Sequence, residues 1–130
     1  MGMLQGTKAF SGFSVKDIDE AEEFYGNVLE LDVKKTDMGL ELHLGKELVI
    51  FVYQKDDHVP ATFTILNFPV DDVAQVVDEL VAKGVTFIRY ENLPAPQDER
   101  GILRGKQYGE GPDIAWFEDP SGNVLSILSD

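Results

Sequence analysis

Two histidines are the only imidazoles in the chain, and each sits beside acid. His43 follows Glu41 at a spacing that puts both on one face of a strand. Such a pair offers weak metal binding or proton transfer; a polar patch on a sheet surface is the plainer reading. His58 closes Lys55-Asp56-Asp57-His58, which reads as a solvated linker. Neither histidine has an evident partner serine, so no serine–histidine–carboxylate arrangement is expected. The acid pairs Glu22-Glu23 and Asp71-Asp72 fall at solvated helix starts, unsuited to general acid–base work. Gly101 to Gln107 resembles a phosphate loop, but it is one residue short and Gln107 replaces the Ser or Thr that such a loop needs. The absence of cysteine excludes disulfides, thiol catalysis and cysteine-ligated metal, and it fits a reducing, cytoplasmic setting.

The elements that must position these residues show internal repetition. Val15-Lys16-Asp17-Ile18-Asp19-Glu20-Ala21 returns in degraded form as Val70-Asp71-Asp72-Val73-Ala74-Gln75-Val76. Each copy follows a candidate strand and opens an amphipathic helix. Asp17 and Glu20 have capping-box spacing, and the first helix is expected to run to about Leu29. Strands are expected at Ala9 to Val15, Val33 to Thr36, Leu40 to Leu44 and Leu48 to Tyr53. In the second copy they are expected at Thr62 to Val70, Val85 to Tyr90, Ile114 to Phe117 and Val124 to Leu128. Asp72 caps a helix with an apolar stripe at Val73, Val76, Val77, Leu80 and Val81, closed by Lys83-Gly84. Asp119-Pro120-Ser121-Gly122-Asn123 has the residues of a tight turn. The fold class is therefore α+β, with two βαβββ modules in a single domain over residues 1–130. Module one covers about 8–55 and module two about 61–130, with a polar loop at about 91–113 that reads either as a lid or as plain connection.

Composition limits the partners. The chain has 130 residues, 43% of them apolar and 27% charged, ordinary values for a globular protein. No apolar run approaches the roughly 20 residues of a membrane helix. The N-terminus shows no signal peptide. A net charge of −13 disfavours nucleic acid and anionic lipid and favours cationic ligands.

Val15-Lys16-Asp17-Ile18, Phe24-Tyr25, Leu29-Glu30-Leu31 and Phe117-Glu118-Asp119-Pro120-Ser121-Gly122-Asn123 together resemble the vicinal oxygen chelate superfamily. Glyoxalases, extradiol dioxygenases and bleomycin-resistance proteins belong to it. The resemblance implies curved mixed sheets around a cavity and, usually, a homodimer. Its enzymes hold a divalent metal with His, Gln or Glu side chains. Carried onto this chain, those positions are Phe10, about Phe51, Ile65 and Ser126. None is a strong ligand, so no metal and no cofactor are expected.

The face that the resemblance turns inward carries Phe10, Gly12 and Ser14 on the opening strand and Phe51 and Tyr53 on the last strand of module one. In module two it carries Ile65, Asn67, Trp116 and Ser126. An aromatic lining with few polar groups suits a flat, partly apolar and possibly cationic ligand. Three readings stay open: a metal-free small-molecule-binding protein, a glyoxalase-like lyase or dioxygenase with displaced ligands, and a regulatory or interaction subunit with a closed core.

Overall fold

The computed structural model describes residues 2–130, and the chain divides into two compact units, residues 1–58 and 59–130. In the first unit the elements run β1 (Ser11–Val15), α1 (Ile18–Glu23), β2 (Asp32–Thr36), β3 (Gly39–Leu44) and β4 (Leu48–Gln54). The sheet order is β1-β4-β3-β2, with β1 parallel to β4 and the other pairs antiparallel.

Asp17 starts α1 by accepting from the amides of Asp19 and Glu20, donors that a helix start otherwise leaves without partners. The expected α-helix to Leu29 is a shorter one. Phe24–Val28 form a π-helical turn, closed by the Leu29 amide on the Phe24 carbonyl. The wider turn accompanies the burial of both Phe24 and Tyr25, adjacent residues that ordinary helical spacing would splay apart. Their rings meet edge to face at 5.2 Å, and Tyr25 meets Phe13 at 5.8 Å. Val15, Leu40, Leu42, Ile50 and Val52 complete this core. Strand alternation sends their neighbours Ser14, Glu41, His43, Val49, Phe51 and Tyr53 to the opposite face.

The second unit contains β5 (Thr64–Pro69), α2 (Val73–Ala82), β6 (Leu103–Arg104), the short α3 (Gly105–Tyr108), β7 (Asp113–Glu118) and β8 (Val124–Ser129). Its order, β5-β8-β7-β6, reproduces that of the first sheet, again with a parallel outer pair. Asp72 caps α2 through the Gln75 amide, and α2 packs on β7 and β8. Val73, Val77 and Leu80 lie buried on α2, as do Ala115, Phe117, Leu125 and Ile127 on the sheet.

The strand expected over 85–90 is absent. That segment makes one bridge, Phe87 to Phe117, while the Ile88 amide donates to the Trp116 carbonyl. Its apolar residues are held by packing, as in the 5.5 Å contact of Phe87 with Phe117. The edge position is filled by β6, from within the segment read as a loop.

That segment is wired in place. Asp98 accepts from the amides of Arg100 and Ile102 and from Arg104 Nε, and Arg104 also reaches Asp113. The Gln97 side chain donates to the Ile88 and Gly101 carbonyls, and Arg89 donates to those of Asp98 and Glu99. Gly101, Ile102 and Leu103 are buried. Within this segment β6 pairs antiparallel with β7 and completes the sheet.

Candidate functional site

In the first unit, the face of the sheet away from α1 carries the expected site residues. Gly12 pairs with Phe51, which pairs with Glu41 on β3. Val49 pairs with His43 one step along, and Ser14 with Tyr53 in the other direction. The Phe51 and Tyr53 rings stack at 6.0 Å with planes 18° apart. A side chain at position 12 would bring its Cβ to 2.9 Å from the Phe51 carbonyl oxygen, so glycine is what the close approach of β1 to β4 requires.

Phe10 stands just ahead of β1 and is 69% exposed. Phe10 and Phe51 line an open concavity of about 1130 Å³. Its other walls include Met38 and Leu48, both well exposed, and three carboxylates, Asp37, Glu41 and Glu47, with Lys8 as the cation. Glu41 is 3.0 Å from His43 Nε2. Met38, Leu48 and the acidic rim at Asp37 and Glu47 lay outside the sequence reading, because these residues sit in or beside turns where alternation gives no face. Glu41 itself was visible from its spacing to His43.

Ser14 and His58 are a further departure. Ser14 Oγ lies 2.6 Å from His58 Nδ1, so His58 is no solvated linker residue and does have a serine partner. The contact spans two ends of the module and left no local pattern. The chain turn that brings it about begins with the Lys55 amide on the Val15 carbonyl and continues with the His58 amide on the Lys55 carbonyl.

In the second unit, Asn67, Ser126 and Trp116 form one cross-strand row. Ser126 is fully buried and donates its hydroxyl to Asn67 Oδ1. Trp116 meets Tyr90 edge to face at 5.2 Å. Burial, and then the charge of Glu118, push the Tyr90 phenol above its usual range. Ile65 falls where the β5–β8 register shifts, so this residue has no place in the row.

The turn after β7 is built from its own motif. Asp119 Oδ1 accepts from the amides of Ser121 and Asn123, while Asn123 Nδ2 donates to Asp119 Oδ2. Both residues are almost fully buried, and Gly122 takes a φ of 86°.

The side chains at the positions implied for a metal do not fit one. Phe10, Phe51 and Ile65 have no donor atom, and the Ser126 hydroxyl is committed to Asn67. Among the described residues, no three His, Asp or Glu side chains gather as a ligand set. No helix among the described residues is long and apolar enough to cross a membrane.

Comparison with known proteins agrees with this architecture. The family model for the Glyoxalase/Bleomycin resistance protein/Dioxygenase superfamily matches residues 10–127. No curated protein matches the chain. Among solved structures, the fosfomycin resistance protein FosX of Listeria monocytogenes superposes with a TM-score of 0.68 at 13% identity, over 96% of this chain and 93% of that one. TnmS3, an antibiotic binding protein of Streptomyces sp. CB03234, gives 0.62 at 21% identity, over 96% and 98%. A glyoxalase/bleomycin resistance protein from the same Streptomyces gives 0.56 at 22%, over 92% and 99%. At these identities the likeness is one of fold.

Proposed function

The chain belongs to the Glyoxalase/Bleomycin resistance protein/Dioxygenase superfamily, and on that premise we propose that it binds and sequesters a flat aromatic, cationic small molecule. One observation carries the reading. The face of the first sheet away from its helix leaves Phe10 and Met38 exposed and Phe51 half-buried beside Asp37, Glu41 and Glu47. Apolar surface of this kind gains by burial against a planar ring, and aromatic pairs add about 0.5–1.5 kcal/mol beyond area. The carboxylates select a positive charge, and the net charge of −13 steers it inward. Two structural relatives, FosX and TnmS3, are a fosfomycin resistance and an antibiotic binding protein by description, which supports a binding role here.

Within the second unit taken by itself, Asn67 and Trp116 are proposed as ligand-contacting groups of one cross-strand row. A homodimer in the cytoplasm belongs to the proposal as well. Small modules bury limited apolar surface alone, and Phe10, Met38, Leu48 and Phe63 remain exposed in the single chain.

Isothermal titration with an acridinium dye, a neutral acridine analogue and an aromatic carboxylate tests the reading. Saturable binding in the order cation, neutral, anion supports it. Preference for the anion contradicts the charge argument, and no binding by any of them contradicts the site.

A further inference from the structure

From the contact between Ser14 and His58 we infer a second site: Ser14 is a nucleophile that His58 activates, and it accepts acyl groups from activated esters. Ser14 Oγ and His58 Nδ1 are 2.6 Å apart, although 44 positions separate them in the chain. The backbone holds them there. Ser14 pairs with Tyr53 in the parallel β1–β4 ladder, the Lys55 amide extends that ladder onto the Val15 carbonyl, and the His58 amide closes the turn on the Lys55 carbonyl. Nucleophile and base therefore meet within hydrogen-bond reach on a rigid frame, which is the geometric condition for such a pair. Both side chains are half-buried, so the pair is neither sealed in the core nor loose in solvent.

Tyr53 extends the site. It lies directly across from Ser14 on the same sheet face and is 38% exposed. Its phenol is a hydroxyl donor for charge developing on an ester carbonyl oxygen, and the nearby Lys55 ammonium is paired with Asp57.

The chemistry balances without a cofactor. With Nδ1 unprotonated, His58 takes the Ser14 hydroxyl proton as Oγ bonds to the ester carbonyl carbon. The bond from that carbon to the leaving oxygen breaks, and the imidazolium returns the proton to the departing alcohol. The product is acyl-Ser14, which water hydrolyses by the same proton path in reverse. An alkoxide of low basicity leaves most readily from the acylated carbon, so the substrates are esters of acidic alcohols.

The site does not rest on the small-molecule reading, because neither Ser14 nor His58 lines the concavity at Phe51 and Glu41. The test treats the intact protein with p-nitrophenyl acetate, follows nitrophenolate release, and locates the acetyl group by peptide mass spectrometry. The expected result is acetylation of Ser14. Ser14→Ala should abolish it, and His58→Gln should slow it at least about 100-fold, the lower end of what general base catalysis contributes. Acetyl groups confined to lysines, no acetylation at all, or Ser14 acetylated at the parent rate in His58→Gln would each overturn the assignment. The mapping on the unaltered protein decides the matter even if a variant folds poorly.

Discussion

Glu41 and Phe51 are direct partners in the antiparallel β3–β4 ladder, so a carboxylate and an aromatic ring lie side by side in the wall of one concavity. Cross-strand partners sit about 4.5–5.5 Å apart at Cβ, close enough to engage the ring and the charge of one small ligand together.

This pairing separates two contributions to binding. Phe51→Ala should weaken an aromatic cation about 3- to 10-fold at low and high salt alike, since stacking is not screened. Phe10→Ala should act in the same direction. Titrations at two ionic strengths check both variants. An effect that vanishes in high salt would show that the rings are not in contact with the ligand.

Glu41→Gln should lower affinity for the cation several-fold while leaving a neutral isostere nearly unchanged. Added salt should lower the association rate more than it raises the dissociation rate, because the remaining acidic field acts mainly on encounter. Stopped-flow measurements with both ligands test this. Equal losses for cation and neutral analogue would mean that Glu41 supports the wall instead of reading charge.

Asp119→Ala should cost about 1.5–3 kcal/mol of stability in urea unfolding. It removes a buried carboxylate that accepts from Ser121, from the Asn123 amide and from the Asn123 side chain. A change within about 0.5 kcal/mol, the usual range for surface positions, would contradict the role assigned to the turn.

Asp78 is held below the usual carboxylate range by its hydrogen bond to Arg100 and by that residue's charge. A lowered folded-state pKa stabilises the protein above the ordinary carboxylate value of about 3.9 and is lost as pH falls through the folded value. Asp78→Asn should therefore reduce stability at neutral pH and flatten its loss in acid. Thermal melts from pH 7 to pH 2 that run parallel in parent and variant would remove this ion pair from the account.

The fold was legible where local chemistry fixes it. Asp17, Asp72 and Asp119 announce two helix starts and a turn through hydrogen bonds to amides only a few residues away. Alternation put Glu41 with His43 on β3 and Phe51 with Tyr53 on β4; that the two pairs share one face comes from the β3–β4 register. Other features were not legible, most of them because long-range packing decides them. Residues 85–90 have strand-like composition but lose the edge to Leu103 and Arg104, whose backbone is delivered there by the Asp98 network. The β5–β8 register shifts between Thr64 and Leu66, an irregularity beside Ile65 that alternation does not encode. Ser14 and His58 meet only because β1 and β4 are parallel neighbours, a pairing that no local pattern encodes. Met38 and Leu48 belong to the concavity through turn geometry, which spacing rules do not reach.

The central claim is that a small aromatic cation binds on the open face of the first sheet. Amide chemical-shift mapping of the nitrogen-15-labelled protein with an acridinium dye tests it most directly. Saturable shifts at Gly12, Glu41 and Phe51, moved together to about 3- to 10-fold higher dye concentration by Phe51→Ala, are the predicted result. A dye that leaves those amides unmoved while it binds elsewhere, or does not bind at all, would contradict the account.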